Sequence, residues 1–138
     1  MKYFFIPLFF LFLLIPETSR SYETIKLNDD MINNPVRYIG IYKWGFYVAA
    51  RVAILHHIEI ENKSSVAYKN IKIRVNYYST TPGSYGMKVG FQDKVLNIVL
   101  PPNTREIYLR EGLPIGAGSN QLLAKNLEVL SAEVAHDY

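Results

Sequence analysis

Two adjacent histidines, His56 and His57, are the first side chains in this sequence that chemistry could use. Imidazoles shuttle protons and are the commonest metal ligands. Both lie in Ala50 to Glu61, where residue types alternate as in a strand, and strand neighbours point to opposite faces. The two rings are therefore expected on opposite sides of a sheet. The only other histidine, His136, stands near the end of the chain, and no His-x-His or His-x-x-x-His spacing exists. The expectation is ordinary strand histidines, with no metal site and no cofactor.

Carboxylates come next. Glu59 and Glu61 share one strand face, where a pair could divide acid and base roles. They border the polar stretch Asn62-Lys63-Ser64-Ser65, so a solvated sheet face accounts for them. Asp29-Asp30 sits among turn formers, which is reason enough for it. Gly116-Ala117-Gly118-Ser119-Asn120 is not a nucleophile elbow, and Gln121 breaks a dinucleotide-binding glycine pattern. The chain has no cysteine, which removes a thiol nucleophile, a thiolate metal site and a disulfide framework together. No catalytic residue emerges, and the expectation is a protein that is not an enzyme.

Contact chemistry is better represented. Tyr38, Tyr42, Trp44 and Phe46 fall on alternate positions, so a regular strand would line them on one face. Exposed, that stripe would bind sugar rings or a partner protein. Buried, it is core, and Gly40 and Gly45 argue against a regular strand. The glycine-rich stretch Thr80 to Gly90 reads as a loop with Tyr85 and Met87 at its tip, either a contact surface or a plain connector. Asn62-Lys63-Ser64 matches a glycosylation sequon, although turn formation explains the same residues.

The elements that must position these groups are strands. Thr24 to Leu27 reads as a short strand, and Asn28 to Pro35 as a loop rich in turn formers. Val36 to Ala49 is aromatic and β-prone. In Ala50 to Glu61, period-two alternation places Val52, Ile54, His56, Ile58 and Ile60 on one face, and Arg51, Ala53, Leu55, His57, Glu59 and Glu61 on the other. Tyr68 to Ser79 repeats the pattern, with Ile71, Ile73, Val75 and Tyr77 inward and Lys72, Arg74 and Asn76 outward. The polar turn between the two makes a hairpin or a sandwich corner. Lys94 to Leu100 and Arg105 to Arg110 read as further strands around Pro101-Pro102-Asn103. Leu113 to Asn120 reads as a loop. In residues 122–135, Leu123, Leu127, Leu130 and Val134 keep helical spacing, yet Asn126 to Ala135 also reads as a closing strand, which is the preferred reading.

Some of these residues resemble a known pattern. Ile58-Glu59-Ile60-Glu61-Asn62-Lys63-Ser64-Ser65 followed by Tyr68-Lys69-Asn70-Ile71-Lys72-Ile73-Arg74-Val75 resembles small bacterial exported Ig-like domains of the FxLYD type. There, an Asn-x-Ser turn precedes a Tyr-x-Asn-aliphatic strand start. Leu100-Pro101-Pro102-Asn103-Thr104 is similar to their proline-bearing turn, and Leu130-Ser131-Ala132-Glu133 to their closing strand. The resemblance covers roughly residues 50–135, and the Phe-x-Leu-Tyr-Asp signature itself is absent. It implies an Ig-like fold and an envelope location, and supplies no catalytic residues.

The N-terminus sets the compartment. Lys2 precedes an unbroken apolar run from Tyr3 to Pro16, followed by the polar stretch Glu17 to Ser21. The run falls short of the ~20 apolar residues a spanning helix needs. It reads as a secretory signal, with a short retained membrane anchor as the alternative. Losing residues 1–21 removes Lys2, Arg20 and Glu17, which takes the formal charge from +3 to +2. That balance, without a Lys/Arg run, excludes a nucleic-acid footprint. It also removes five of the seven phenylalanines, which leaves a tyrosine-rich domain suited to half-wet strands.

The expectation is an all-β protein: a single Ig-like β-sandwich of about seven strands, over residues 22–138, behind a signal or anchor over residues 1–21. It is exported (periplasmic, extracellular or envelope-associated) and touches a membrane only through residues 3–16 if these are kept. The expected function is contact with a protein partner, possible through Tyr38, Tyr42, Trp44, Phe46, Tyr85 and Met87. The alternative is a carbohydrate-binding module built on the aromatic stripe.

Overall fold

The computed structural model describes residues 28–136. The short strand expected at Thr24 to Leu27 and the signal or anchor over residues 1–21 lie outside the described residues. Seven strands form two antiparallel sheets, an all-β sandwich: β1 (Ile39–Ala49), β2 (Val52–Asn62), β3 (Tyr68–Ser79), β4 (Lys88–Leu100), β5 (Thr104–Tyr108), β6 (Leu113–Ala117) and β7 (Leu122–Val134). One sheet runs β1-β2-β5, with β6 also on β2; the other runs β4-β3-β7. Strands β5 and β6 lie end to end along the same edge of β2, pairing with Ile58 to Asn62 and with Val52 to Leu55 respectively.

The core fills the space between the sheets. Leu55, Ile58 and Ile60 from one sheet meet Tyr68, Ile71, Ile73, Val75 and Leu96 from the other, all at most 1% exposed. Fully burying such a side chain stabilises the fold by about 1.5–3 kcal/mol relative to leaving it in water. In β3 the four residues expected inward are buried, which fits an alternating central strand. Asn76, expected outward, is only 1% exposed: it sits on the central strand between Phe91 of β4 and Asn126 of β7 and donates to Glu128.

The expected face of β2 holds for only half its length. Ile58 and Ile60 are buried as expected, but upstream it is Ala53 and Leu55 that are buried, while Val52 is exposed. The cause is a β-bulge. Lys43 pairs with Glu59 and Gly45 with His56, so β2 carries one residue more than β1 across that interval. His57 absorbs it with a left-handed φ of 50°. Such a bulge exchanges the two faces of the strand. It lies where β5 gives way to β6, and the His57 N–H donates to the Leu109 carbonyl at 3.1 Å.

The polar turn after β2 is a sandwich corner, since β2 and β3 belong to different sheets. The chain crosses back at Pro101 to Asn103, between β4 and β5. Asn62 ties the two crossings together. Its Nδ2 donates to the carbonyls of Val66, Leu100 and Pro101 at 2.8, 3.2 and 3.0 Å. Its Oδ1 accepts from the backbone and hydroxyl of Ser64. At 1% exposure this amide is a structural clamp, and the sequon has no free nitrogen to offer in the folded chain.

Three further readings are corrected. The stretch expected as a loop at 28–35 is helical at 28–33 and continues into a 3-10 turn, Pro35–Tyr38. It is held by Tyr68, whose buried hydroxyl donates to the Met31 carbonyl at 2.8 Å. Strand β4 begins at Lys88, inside the expected Thr80 to Gly90 loop. Leu113 to Ala117, also expected as loop, is the strand β6. Its Pro114 and Gly116 are tolerated because β6 is an edge strand. Residues 122–134 form the closing strand, and the helical spacing there is incidental.

Candidate interaction surface

The strand directions gather three connections at one end of the sandwich: the Ala50-Arg51 turn, the Thr80 to Met87 loop, and Gly118 to Gln121. The Thr80 N–H donates to the Gln121 carbonyl at 2.9 Å, which joins two of them. The Gly118 N–H donates to Arg51 at the same distance and joins the third. Between the turn and the Gly118 to Gln121 segment lies an open groove of about 590 Å³.

The Thr80 to Met87 loop is tied together by its own hydrogen bonds. Ser79 and Met87 exchange no slack: the Ser79 N–H donates to Met87 at 2.9 Å, and Gly86 N–H returns to Ser79 at 2.8 Å. The Ser79 and Ser84 hydroxyls bond at 2.8 Å, and the Thr81 N–H donates to the Ser79 hydroxyl. Gly83 and Gly86 take φ of 85° and 78°, the left-handed region that glycine enters without strain. This frame holds Tyr85 70% exposed and Met87 62% exposed. The two side chains expected at the tip are therefore presented to solvent.

Exposed apolar residues continue onto β4: Val89, the extra residue of a bulge opposite Tyr77 and Tyr78, and Phe91 are both more than half exposed. Val95 and Val99 extend the exposed apolar surface further down the strand. Phe91 lies under the Arg74 guanidinium, 4.0 Å from its centroid, with the Lys88 ammonium at 5.9 Å. Arg74 grips Asp93 through two hydrogen bonds of 2.7 and 2.9 Å. That guanidinium holds the Asp93 carboxyl below the usual carboxylate range, and Asp93 in turn raises Arg74. Beside them Asn76 donates to Glu128 at 2.6 Å, while its Oδ1 is buried without a partner. The Met87-Val89-Phe91 alternation was present in the sequence, but Gly86 and Gly90 made it read as loop.

The aromatic stripe does not survive as one surface. Ile41 pairs with Ile60 and Lys43 with Glu59, so Tyr42 is an extra residue bulged out of β1. Beyond it, Trp44 and Phe46 turn inward and pack on the core, as does Tyr38 from the 3-10 turn. Tyr38 also donates its hydroxyl to Asp30 at 2.6 Å, which raises the phenol and lowers the carboxyl. Tyr42 alone faces out. Its ring stacks under Arg105, 3.7 Å from the centroid, and its hydroxyl donates to Glu61 at 2.5 Å. Glu59, the other candidate carboxylate, pairs with Arg105 at 2.7 Å and Lys43 at 3.9 Å. These are outer-face contacts of the sheet, as expected for Glu59 and Glu61.

The histidines are placed contrary to expectation. The bulge brings both rings to one side, with His56 Nδ1 and His57 Nδ1 2.6 Å apart. Among the described residues, no group of three or more metal-ligating side chains forms, and no helix is long and apolar enough to cross a membrane. No family model, curated protein or solved structure matches this chain.

Proposed function

We propose that this is a non-enzymatic, exported interaction module that acts by contact with a partner protein, with the Thr80 to Met87 loop and the adjoining face of β4 as its contact surface. The observation that carries this reading is the exposure of four large apolar side chains close together in the chain, Tyr85, Met87, Val89 and Phe91, on a hydrogen-bonded loop and an edge strand. Aromatic and methionine side chains concentrate contact energy when a partner covers them. A domain has little other reason to expose so many of them within seven residues. Export rests on the apolar run Tyr3 to Pro16, and the Ig-like assignment on the resemblance to FxLYD-type domains. A carbohydrate module would need an open aromatic platform, and Trp44 and Phe46 pack inward.

The test is photo-crosslinking in the native host, with a benzophenone amino acid placed at Tyr85 or at Phe91. One discrete protein adduct shared by both positions, and missing when the probe replaces exposed Lys43, supports the reading. The absence of any adduct at both positions, with the protein folded and exported, overturns it.

A further inference from the structure

The His56–His57 pair has a geometry that two strand neighbours do not ordinarily reach. A regular strand sends adjacent side chains to opposite faces. Here the left-handed His57 backbone, at φ 50°, turns its ring onto the side occupied by His56. The rings meet edge to face, with centroids 4.8 Å apart and planes at 86°. The surroundings leave room for this. His56 stands over Gly45 on the paired strand, where any Cβ would come within 2.4 Å of its Nε2. The Tyr47 ring steadies it edge-on, at 5.2 Å between centroids. His57 is exposed and free to adjust.

We propose that His56 and His57 form a two-imidazole chelate for a late first-row divalent ion, Cu²⁺ above all. Two imidazole nitrogens bound cis to one ion at ~2.0 Å each stand ~3 Å apart. The two Nδ1 atoms start 2.6 Å apart, and rotation of both rings opens that separation and turns their in-plane lone pairs from each other towards one ion. Without an ion, one Nδ1 carries a proton and donates it to the other. On binding, that proton moves to Nε2 of the same ring, both rings stay neutral, and both Nδ1 lone pairs point at the metal. Imidazole suits copper, nickel and zinc, and copper heads the affinity order for divalent ions. With two protein ligands, the remaining positions are left to water, so the ion is exchangeable.

The test is Cu²⁺ titration of the full chain, followed by calorimetry and by electron paramagnetic resonance. The expected result is one Cu²⁺ per chain with hyperfine structure from two nitrogens. Two variants keep the fold while removing a ligand. His57→Asn retains a residue that tolerates the left-handed backbone, and His56→Phe retains the ring against Tyr47 and Gly45. Each should weaken binding by on the order of 100-fold, because a chelate becomes a single donor. His136→Gln should leave the affinity unchanged. Copper that binds the His56→Phe/His57→Asn double variant as tightly as the parent, or a parent that binds none saturably, overturns the proposal.

Discussion

Asn62 shows how much one polar side chain can carry in a fold without disulfides. Its amide serves three carbonyls that belong to two of the crossings between the sheets, and its oxygen serves Ser64. Truncation would remove all of these hydrogen bonds at a net cost of roughly 0.5–1.5 kcal/mol each, although the Val66 and Pro101 carbonyls keep the Ser64 and Thr104 hydroxyls as donors. Asn62→Ala should therefore lower the unfolding free energy by about 3 kcal/mol in urea denaturation. Asn62→Asp should be worse, since a carboxylate cannot donate and would face three carbonyl oxygens. A loss below about 1 kcal/mol in the alanine variant would show that the crossings hold without the clamp.

At the scale of elements, the strands are regular until a neighbour or a turn forces otherwise. The β1–β2 turn has two non-glycine residues in left-handed backbone, Ala50 at φ 49° and Arg51 at φ 64°. Two positive φ angles in a two-residue hairpin are the type I′ pattern that Asn-Gly adopts with least strain. A left-handed conformation costs an ordinary L-residue roughly 1–2 kcal/mol. Ala50→Asn with Arg51→Gly should thus stabilise the domain by about 1 kcal/mol or more, read as a rise in Tm by calorimetry. An unchanged or lower Tm would mean that Arg51 makes contacts worth as much as the strain it carries. The bulges at Tyr42 and His57 act at this scale too, since each decides which side of the sheet the following residues face.

For the whole molecule, the pairing order sets the folding behaviour. Strand β3 pairs with β7, some fifty residues further along the chain, and β2 with β5 and β6 across the intervening β3 and β4. Long loops must close before these pairs form, so folding should take milliseconds to seconds, without the microsecond phases of helical domains. Trp44, the one tryptophan, packs against the core and reports this directly. Stopped-flow refolding should show its fluorescence recovering on that timescale, together with far-ultraviolet dichroism. Recovery of Trp44 well ahead of the sheet signal would point to an early cluster around β1 and contradict concerted closure.

Alternation determined the sandwich class and the inward set Ile71, Ile73, Val75 and Tyr77, and turn formers placed Tyr85 and Met87 in a loop, because period two and turn chemistry act locally. It could not place β6, where Pro114 and Gly116 imitate a loop that edge pairing tolerates. It misassigned the upstream face of β2 and separated His56 from His57, because one inserted residue inverts a strand without altering its composition. Only the tertiary structure decided those points. A bulge forms where a neighbouring strand breaks, here between β5 and β6, and residues some fifty positions away in the chain fix where that break falls.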